Sequence, residues 1–325
     1  MGTILVTGGA GYIGSHVACQ LGERGESLVT LDNLSTGFRS AVLHGDLVVG
    51  DTGDPALVSR LLRERGVDTV MHFAAHIVVP ESVSDPLKYY RNNTCNTRTL
   101  LECCAEAGVR HFIFSSTAAV YGIPASGSAS EDTSTCPINP YGWSKLMSEQ
   151  MLRDLSAVTP LRHVALRYFN VAGADPGGRV GQSTPEATHL IKVACEHAVG
   201  KRDHVSIFGT DFETPDGTGV RDYIHVEDLA AAHLDALDYL RQGGISTTLN
   251  CGYGQGFSVR EVLEMVARVS GRGLTIRTGP RRAGDPPRLV AIADRIRNTL
   301  GWKPHHDDLE DIVRTALAWE RRLSA

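Results

Sequence analysis

Residues 3–14 read TILVTGGAGYIG. The first five are β-branched or aliphatic without polar alternation, the pattern of a strand covered on both faces. Gly8, Gly11 and Gly14 follow at intervals of three, after the strand and at the opening of a helix predicted over 13–24. Glycine there permits a tight turn and close backbone approach, so a pyrophosphate can rest on the positive helix end. The triplet alone is a weak signal, because ordinary strand–helix turns also use glycine. Asp32 strengthens it, ending the next predicted strand at about the spacing where a carboxylate receives the ribose hydroxyls of an adenine dinucleotide. That carboxylate would oppose a 2′-phosphate by ~1 kcal/mol at ~4 Å in water, and several-fold more when partly buried. Asn33, Leu34 and Ser35 supply no arginine to compensate, so the reading is NAD rather than NADP.

Outward from this unit the pattern repeats. Apolar runs at 28–31, 47–49, 69–73, 111–114 and 163–167 read as strands, and helical spacing marks 55–65, 86–106 and 141–155. Strand–helix alternation at this interval implies right-handed crossovers and a parallel sheet. The fold class expected is α/β: a Rossmann-type doubly wound parallel sheet over 1–172 with a smaller C-terminal α/β domain over 173–325. Parts of about 223–252 are expected to return to the main sheet. Beyond Asn170 glycines, prolines and acids crowd 173–185 and 209–219, and apolar runs shorten.

Composition narrows the function. The 325 residues are 42% hydrophobic, and 32 Lys+Arg against 37 Asp+Glu give a net charge of −5, which leaves no cationic field for nucleic acid. No apolar run reaches the ~18 residues of a membrane helix. The start of the sequence shows no leader pattern, and the seven cysteines form no C-x-x-C pair. Buried free thiols in a reducing cytoplasm are the expectation.

Tyr141 and Lys145 stand one helical turn apart on a predicted helix. By itself that spacing is common. Ser115, Ser116 and Thr117 add weight, because they end a strand of the same sheet, where ligands of open α/β sheets bind. A hydroxyl, a phenol and an ammonium together form a proton-transfer unit beside a nicotinamide. A free phenol has a pKa of ~10, so work as a base near neutrality needs a lowering of about three units, ~4 kcal/mol of differential stabilisation. Lys145 and a positive nicotinamide ring are the sources available. Asp51 admits two readings, an acceptor for an adenine amino group or a cap for the helix at Asp54–Pro55. Residues 305–308 (HHDD) lack the helical i, i+4 histidines of a zinc site and read as a solvated loop, so no metal is expected.

The sequence resembles the extended short-chain dehydrogenase/reductases, and within them the nucleotide-sugar 4-epimerases that act on UDP-glucose and UDP-galactose. The segments that carry the resemblance are 8–16 (GGAGYIGSH), 73–75 with 80–83 (FAA, PESV), 115–122 (SSTAAVYG), 141–145 (YGWSK), 167–174 (RYFNVAGA), 216–230 (DGTGVRDYIHVEDLA) and 281–287 (RRAGDPP). It implies a transient NAD-dependent oxidation at C4 of the sugar, with a tightly held NAD that is not consumed. Tyr141 would be the base, Lys145 would hold the nicotinamide ribose and Thr117 would bond the 4′-hydroxyl.

The resemblance further implies that Tyr12 and Ile13 offer backbone to the pyrophosphate, beside Gly8, Gly11 and Gly14. Asp32 would take the ribose, with Asn33, Leu34, Ser35, Thr36 and Gly37 in the same loop, and Asp51 and Thr52 would meet the adenine. Phe73, Ala74, Ala75, Ile77, Asn92, Ser115 and Phe169 would line the cofactor. Asn170, His189, Leu190, Ile207, Phe208, Arg221, Arg282 and Asp285 would surround the UDP-sugar. From charge alone Arg221, flanked by Asp216 and Asp222, reads equally as a loop ion pair.

Three positions depart from the family pattern. Thr117 replaces a common serine, Ile77 stands where some members have lysine, and Leu289 occupies what looks like a gatekeeper place behind the sugar's 2′ substituent. N-acetylated, uronate and pentose UDP-sugars therefore stay open as alternative substrates. Ala118 and Ala119 argue against a dehydratase, and the Thr117–Tyr141–Lys145 set argues against a non-catalytic NAD-sensing module. The resemblance also implies a homodimer packed through 86–106 and 141–155.

Overall fold

Seven strands form one all-parallel sheet in the order Thr247–Cys251, Arg162–Tyr168, His111–Thr117, Val67–His72, Thr3–Thr7, Leu28–Asp32, Asp46–Val49. The computed structural model describes residues 2–185, 187–282 and 284–324; Ala283, within the 281–287 segment, lies outside them. From Thr3–Thr7 the chain builds toward one edge, then returns to lay Val67–His72 on the other side of the same strand. The topological switch point therefore sits at Thr3–Thr7, with its crevice at the carboxyl ends of the strands. This is the doubly wound sheet of Rossmann type that the alternating pattern predicted.

The strands feed a core on each face. Ile4, Val6, Ile113, Val164 and Leu166 point into one cluster, shared with Val17 and Leu21 of helix Tyr12–Glu23 and Leu229 and Leu237 of helix Val226–Arg241. Leu5, Phe112, Phe114 and Ala165 point into the other, against Val58 and Leu62 of helix Pro55–Glu64, Leu100 of helix Asn96–Ala107 and Leu152 of helix Pro140–Val158. This two-sided burial is why the strands read as continuous aliphatic runs. Truncating a fully buried ring such as Phe112 to alanine would cost about 3–5 kcal/mol.

The helix predicted over 86–106 is interrupted. A short helix Pro86–Tyr89 runs into a π-helical turn Tyr90–Cys95 before helix Asn96–Ala107 begins. The wide turn carries Asn93, whose side chain accepts from His76 N at 2.8 Å and donates to His76 O at 2.9 Å. Such turns gather at functional sites, and here one holds the loop that follows strand Val67–His72.

The remaining strands form two smaller sheets. In one, Gly256–Ser258, Val220–His225, Arg288–Ala291 and Ser128–Ala129 lie side by side, with Asn170–Ala172 also paired to Val220–His225. The other pairs Val205–Phe208 with Ile276–Gly279. A third apolar cluster joins helices Leu190–Ala198, Val259–Ser270 and Leu309–Arg322. Thr247–Cys251, distant in sequence, inserts beside Arg162–Tyr168 in the main sheet. All seven cysteines are free; five are buried as expected, whereas Cys95 and Cys136 are exposed. Among the described residues no helix is long and apolar enough to cross a membrane.

Candidate active site

The dinucleotide end of the cleft is built by close backbone approach. Gly8 turns the chain with φ +72°, and a Cβ there would meet Ala74 N at 2.6 Å. A Cβ on Gly14 would lie 2.3 Å from Gly8 O, so helix Tyr12–Glu23 sits directly on the glycine turn. Gly11 is the N-cap and offers no side-chain cap, leaving the amides of Tyr12 and Ile13 at the helix entrance. The buried Asp32 carboxylate accepts from Ala10 N at 3.0 Å and Leu34 N at 2.8 Å, which fixes it across the turn. Leu34 has φ 58°, the one non-glycine residue with positive φ among those described; such strain gathers where a ligand is gripped. Ser35 N bonds Asn33 Oδ1 at 3.0 Å, Thr36 is exposed, and Gly37 packs against Ala10 while Phe38 N bonds Ala10 O at 2.9 Å.

Asp51 accepts from Asn33 at 3.0 Å, Gly53 N at 2.7 Å and Asn96 at 2.8 Å. The helix cap is Asp54, which bonds Ala56 N and Leu57 N, so capping does not explain Asp51. Thr52 is buried beside it. Phe73, Ala74 and Ala75 are half-buried after strand Val67–His72, Asn92 is half-buried on the π turn, and Ile77 is 48% exposed. Phe169 is buried at the end of strand Arg162–Tyr168. These residues line one edge of the sheet, the carboxyl ends. A turn without room for side chains, a helix entrance and a fixed carboxylate fit an adenine dinucleotide.

At the same edge, helix Pro140–Val158 brings Tyr141 to Thr117. Asn139 caps that helix by accepting from Gly142 N at 2.9 Å, and Pro140 opens it. Lys145 Nζ, 2% exposed, donates to Ser115 O at 2.8 Å and lies 5.0 Å over the Phe114 ring. Burial lowers Lys145 to about 7, opposed by the charge of Glu149. Burial raises the Tyr141 phenol, opposed by its hydrogen bond with Thr117. In the protein alone burial thus disfavours the phenolate, and a positive charge beside it would favour that form. Ser115 Oγ pairs with Tyr168 OH, so Ser115 contributes its carbonyl, not its hydroxyl, to Lys145.

Asn170 is exposed at the cleft. His189 precedes helix Leu190–Ala198; its Nδ1 is 2.9 Å from Gln182 Nε2, and burial holds its pKa down. Leu190 is half-buried at the first turn. Ile207 points into the third core and leaves only its backbone to a ligand, whereas Phe208 is covered by Arg282 at 4.0 Å. Arg221 pairs with Asp285, and its flanking acids are engaged elsewhere: Asp216 with Thr218 and Ser258, Asp222 with Tyr253 N and Gly254 N. An ion pair exists, but with a residue 64 positions away. Leu289, 8% exposed, is in register with Arg221 on the adjacent strand.

Sequence reasoning missed Asn93, Glu149 and Arg167. Glu149 stands eight residues after Tyr141, so helical spacing could have placed it on the same face. Among the described residues, His225, His306 and Asp311 have ligand atoms within 4.8 Å of one another. They do not form a free cation cage. His225 uses Nδ1 for Glu227 N at 3.1 Å and Nε2 for Thr315 at 2.9 Å, and His306 pairs with Asp311 at 2.5 Å.

Comparison with known proteins places this arrangement. Residues 4–252 match the NAD dependent epimerase/dehydratase family. A UDP-glucose 4-epimerase of Azospirillum brasilense is 60% identical over 321 residues, covering 98% of this chain and 92% of the relative. A UDP-glucose 4-epimerase of Streptococcus mutans is 48% identical, covering 97% and 96%. The crystal structure of UDP-glucose 4-epimerase from Brucella ovis in complex with NAD superposes with a TM-score of 0.95 at 45% identity, covering 98% of each chain. With its glycine turn, Asp32 and the Thr117–Tyr141–Lys145 set on one sheet edge, the chain belongs to the NAD dependent epimerase/dehydratase family.

Proposed function

We propose that the protein is a UDP-glucose 4-epimerase, an isomerase that interconverts UDP-galactose and UDP-glucose through a transient 4-keto sugar. The observation that carries the reading is the convergence of Thr117, Tyr141 and Lys145 beside a turn shaped for a dinucleotide. Bound NAD supplies a reversible hydride acceptor at C4 and a positive ring in the cleft. Tyr141 takes the 4′-hydroxyl proton and later returns it, with Thr117 bonding the same hydroxyl. Lys145, fixed by Ser115 O, holds the nicotinamide ribose and stabilises the phenolate as a cation.

Gly8, Gly11, Tyr12, Ile13 and Gly14 cradle the pyrophosphate, and Asp32 holds the adenosine ribose. The loop Asn33 to Gly37, Asp51, Thr52, Phe73 to Ala75, Ile77, Asn92 and Phe169 complete the cofactor's walls. Asn170, His189, Leu190, Ile207, Phe208, Arg221, Arg282 and Asp285 hold the UDP portion; planar guanidinium groups suit its diphosphate. A substrate anchored by its nucleotide leaves the sugar free to present either face, which inversion at C4 requires. Residues 1–172 form the cofactor domain, rejoined by parts of 223–252, and 173–325 the UDP-sugar domain.

The protein acts as a homodimer in the cytoplasm. Val83 and Leu87 are 55% and 72% exposed, Trp143 and Met147 are 40% and 42% exposed one turn apart, and their helices pack against each other. Covering such an apolar face is the role of a second copy; sedimentation of Leu87→Asp should give monomers.

The test of the activity is to incubate purified protein with UDP-galactose, adding no NAD, and separate the products by chromatography. Conversion to an equilibrium mixture with UDP-glucose is expected, and Tyr141→Phe should keep its NAD while losing turnover. Turnover at the wild-type rate in that variant would remove Tyr141 from the chemistry.

A further inference from the structure

We propose that Glu149 is a positioning residue that locks the catalytic helix in register with the strand end carrying Ser115, Ser116 and Thr117. The proposal rests on the reading that Tyr141 and Lys145 perform the chemistry. Tyr141, Lys145 and Glu149 lie at i, i+4 and i+8 of helix Pro140–Val158, so they share one face. Each meets one of three consecutive residues of strand His111–Thr117. Tyr141 faces the Thr117 side chain, Lys145 Nζ bonds Ser115 O at 2.8 Å, and Ser116 Oγ donates to Glu149.

Strand alternation explains how one helix reaches all three. Ser116 has the parity of Phe112 and Phe114, which face the cluster containing Leu152 of this helix. Its side chain therefore points down at the helix body, while Thr117, of the other parity, is reached over the strand end by Tyr141 in the helix's first turn. The Ser116–Glu149 contact fixes how far Tyr141 overhangs. A slip by one residue would move the phenol 1.5 Å along the axis, and misplacement by about 1 Å costs on the order of 10²-fold in rate.

The energetics favour this role over simple stabilisation. Glu149 is 2% exposed and bonded by Arg167, Nε to Oε1 at 2.9 Å and Nη2 to Oε2 at 2.6 Å. A buried ion pair of this kind is often no more stabilising than well-packed apolar residues, and its best-attested use is to specify register. The anchor extends further: Arg167 Nη1 donates to Tyr121 OH at 3.0 Å, Tyr121 OH to Asn250 Oδ1 at 2.6 Å, and Asn250 Nδ2 to Ala129 O at 2.8 Å. The helix is thereby tied to the edge strand of the main sheet and to the neighbouring sheet.

Glu149 also holds charge behind Lys145. The groups facing the two are His72 on strand Val67–His72, Arg167 and His163 on strand Arg162–Tyr168, Tyr121 after the strand end, and Tyr141, which also faces Tyr89 and Tyr168. Glu149 is the acid among them, and it favours the Lys145 ammonium against burial. Removing it lets Lys145 lose its proton at lower pH.

Two variants test this. Glu149→Gln strands the Arg167 guanidinium against an amide and can fail to fold; the double variant Glu149→Leu/Arg167→Met removes both charges and keeps apolar packing. In the folded double variant, with NAD retained, kcat for UDP-galactose should fall on the order of 10²-fold while KM changes less than about twofold. The alkaline limb of the kcat–pH profile should also move to lower pH, because the charge that favours the Lys145 ammonium is gone. A merely structural role would lower the folded fraction and leave the limb in place. Wild-type kcat in the folded double variant, or a lower kcat with an unmoved limb, overturns the proposal. Wild-type turnover in Tyr141→Phe, measured in the same assay, would instead overturn the reading beneath it.

Discussion

Gly14→Ala separates the two jobs a glycine can do at the start of the first helix. The new Cβ would lie 2.3 Å from Gly8 O and 2.9 Å from both Gly8 C and Gly9 Cα, all backbone atoms that cannot rotate away. An unstrained contact is ~3.5 Å, so the helix must retreat by roughly 1 Å. Overpacking of this order costs about 1–3 kcal/mol, but alanine in a helix regains about 1 kcal/mol over glycine. The net loss of stability is then about 0–2 kcal/mol, a fall in Tm of only a few degrees for a chain of this size. The cofactor should suffer more, because the helix-entrance amides move with the helix. Losing one charge-assisted amide–pyrophosphate bond, worth about 1.5–3 kcal/mol, is expected to weaken NAD binding roughly 10- to 10²-fold.

The assay is NAD released by acid from the purified variant, followed by titration of the stripped protein. Gly25→Ala is the control: its φ is +75° and nothing lies within 4 Å of the added Cβ. It should lose about 1 kcal/mol of stability and none of its NAD. Full NAD content and unchanged affinity in Gly14→Ala would refute the reasoning and reduce Gly14 to a packing residue.

Other outcomes follow from the same geometry. Asp32→Ser removes the charge that opposes a 2′-phosphate, so NAD affinity should fall at least ~10-fold while discrimination against NADP disappears; retained preference for NAD in paired titrations would place the selectivity elsewhere. Leu289→Ala opens the buried position opposite Arg221 and should raise turnover of UDP-N-acetylgalactosamine relative to UDP-galactose, at about 2–5 kcal/mol of stability; an unchanged ratio would clear Leu289 as gatekeeper. Stability should also fall in acid. Burial holds His72 at about 3, His163 at about 4, His225 at about 3 and His233 at about 4, against ~6.5 when unfolded. Between those values the unfolded chain binds more protons, so stability is full above about pH 6.5 and drains as pH falls, by about 1.4 kcal/mol per pH unit for each histidine. Asp235, raised by burial to about 6, and Asp222, also raised by burial, oppose this. Urea unfolding at pH 7.5 and pH 5 measures the sum, and equal stabilities would contradict it.

The parts of the site that were legible in the sequence are those set by neighbours along the chain. The glycine turn and its helix, Asp32 at a strand end and Tyr141 one turn before Lys145 all follow from periodicity and local backbone chemistry, and the structure places them on one sheet edge. What the sequence could not express is which distant groups would meet. Asp51 is held by Asn33 and Asn96, Arg221 by Asp285, and Glu149 by Arg167 and Ser116. The π turn at Tyr90–Cys95 is similarly silent, because one widened turn leaves the hydrophobic spacing of a long helix nearly intact. The sequence by itself determined the doubly wound sheet, the strand ends on which NAD would lie, and the hydroxyl, phenol and ammonium that the structure gathers there. Only the tertiary structure decided the surroundings of those groups, because burial and long-range partners, not local pattern, push the Tyr141 phenol up and the Lys145 ammonium down.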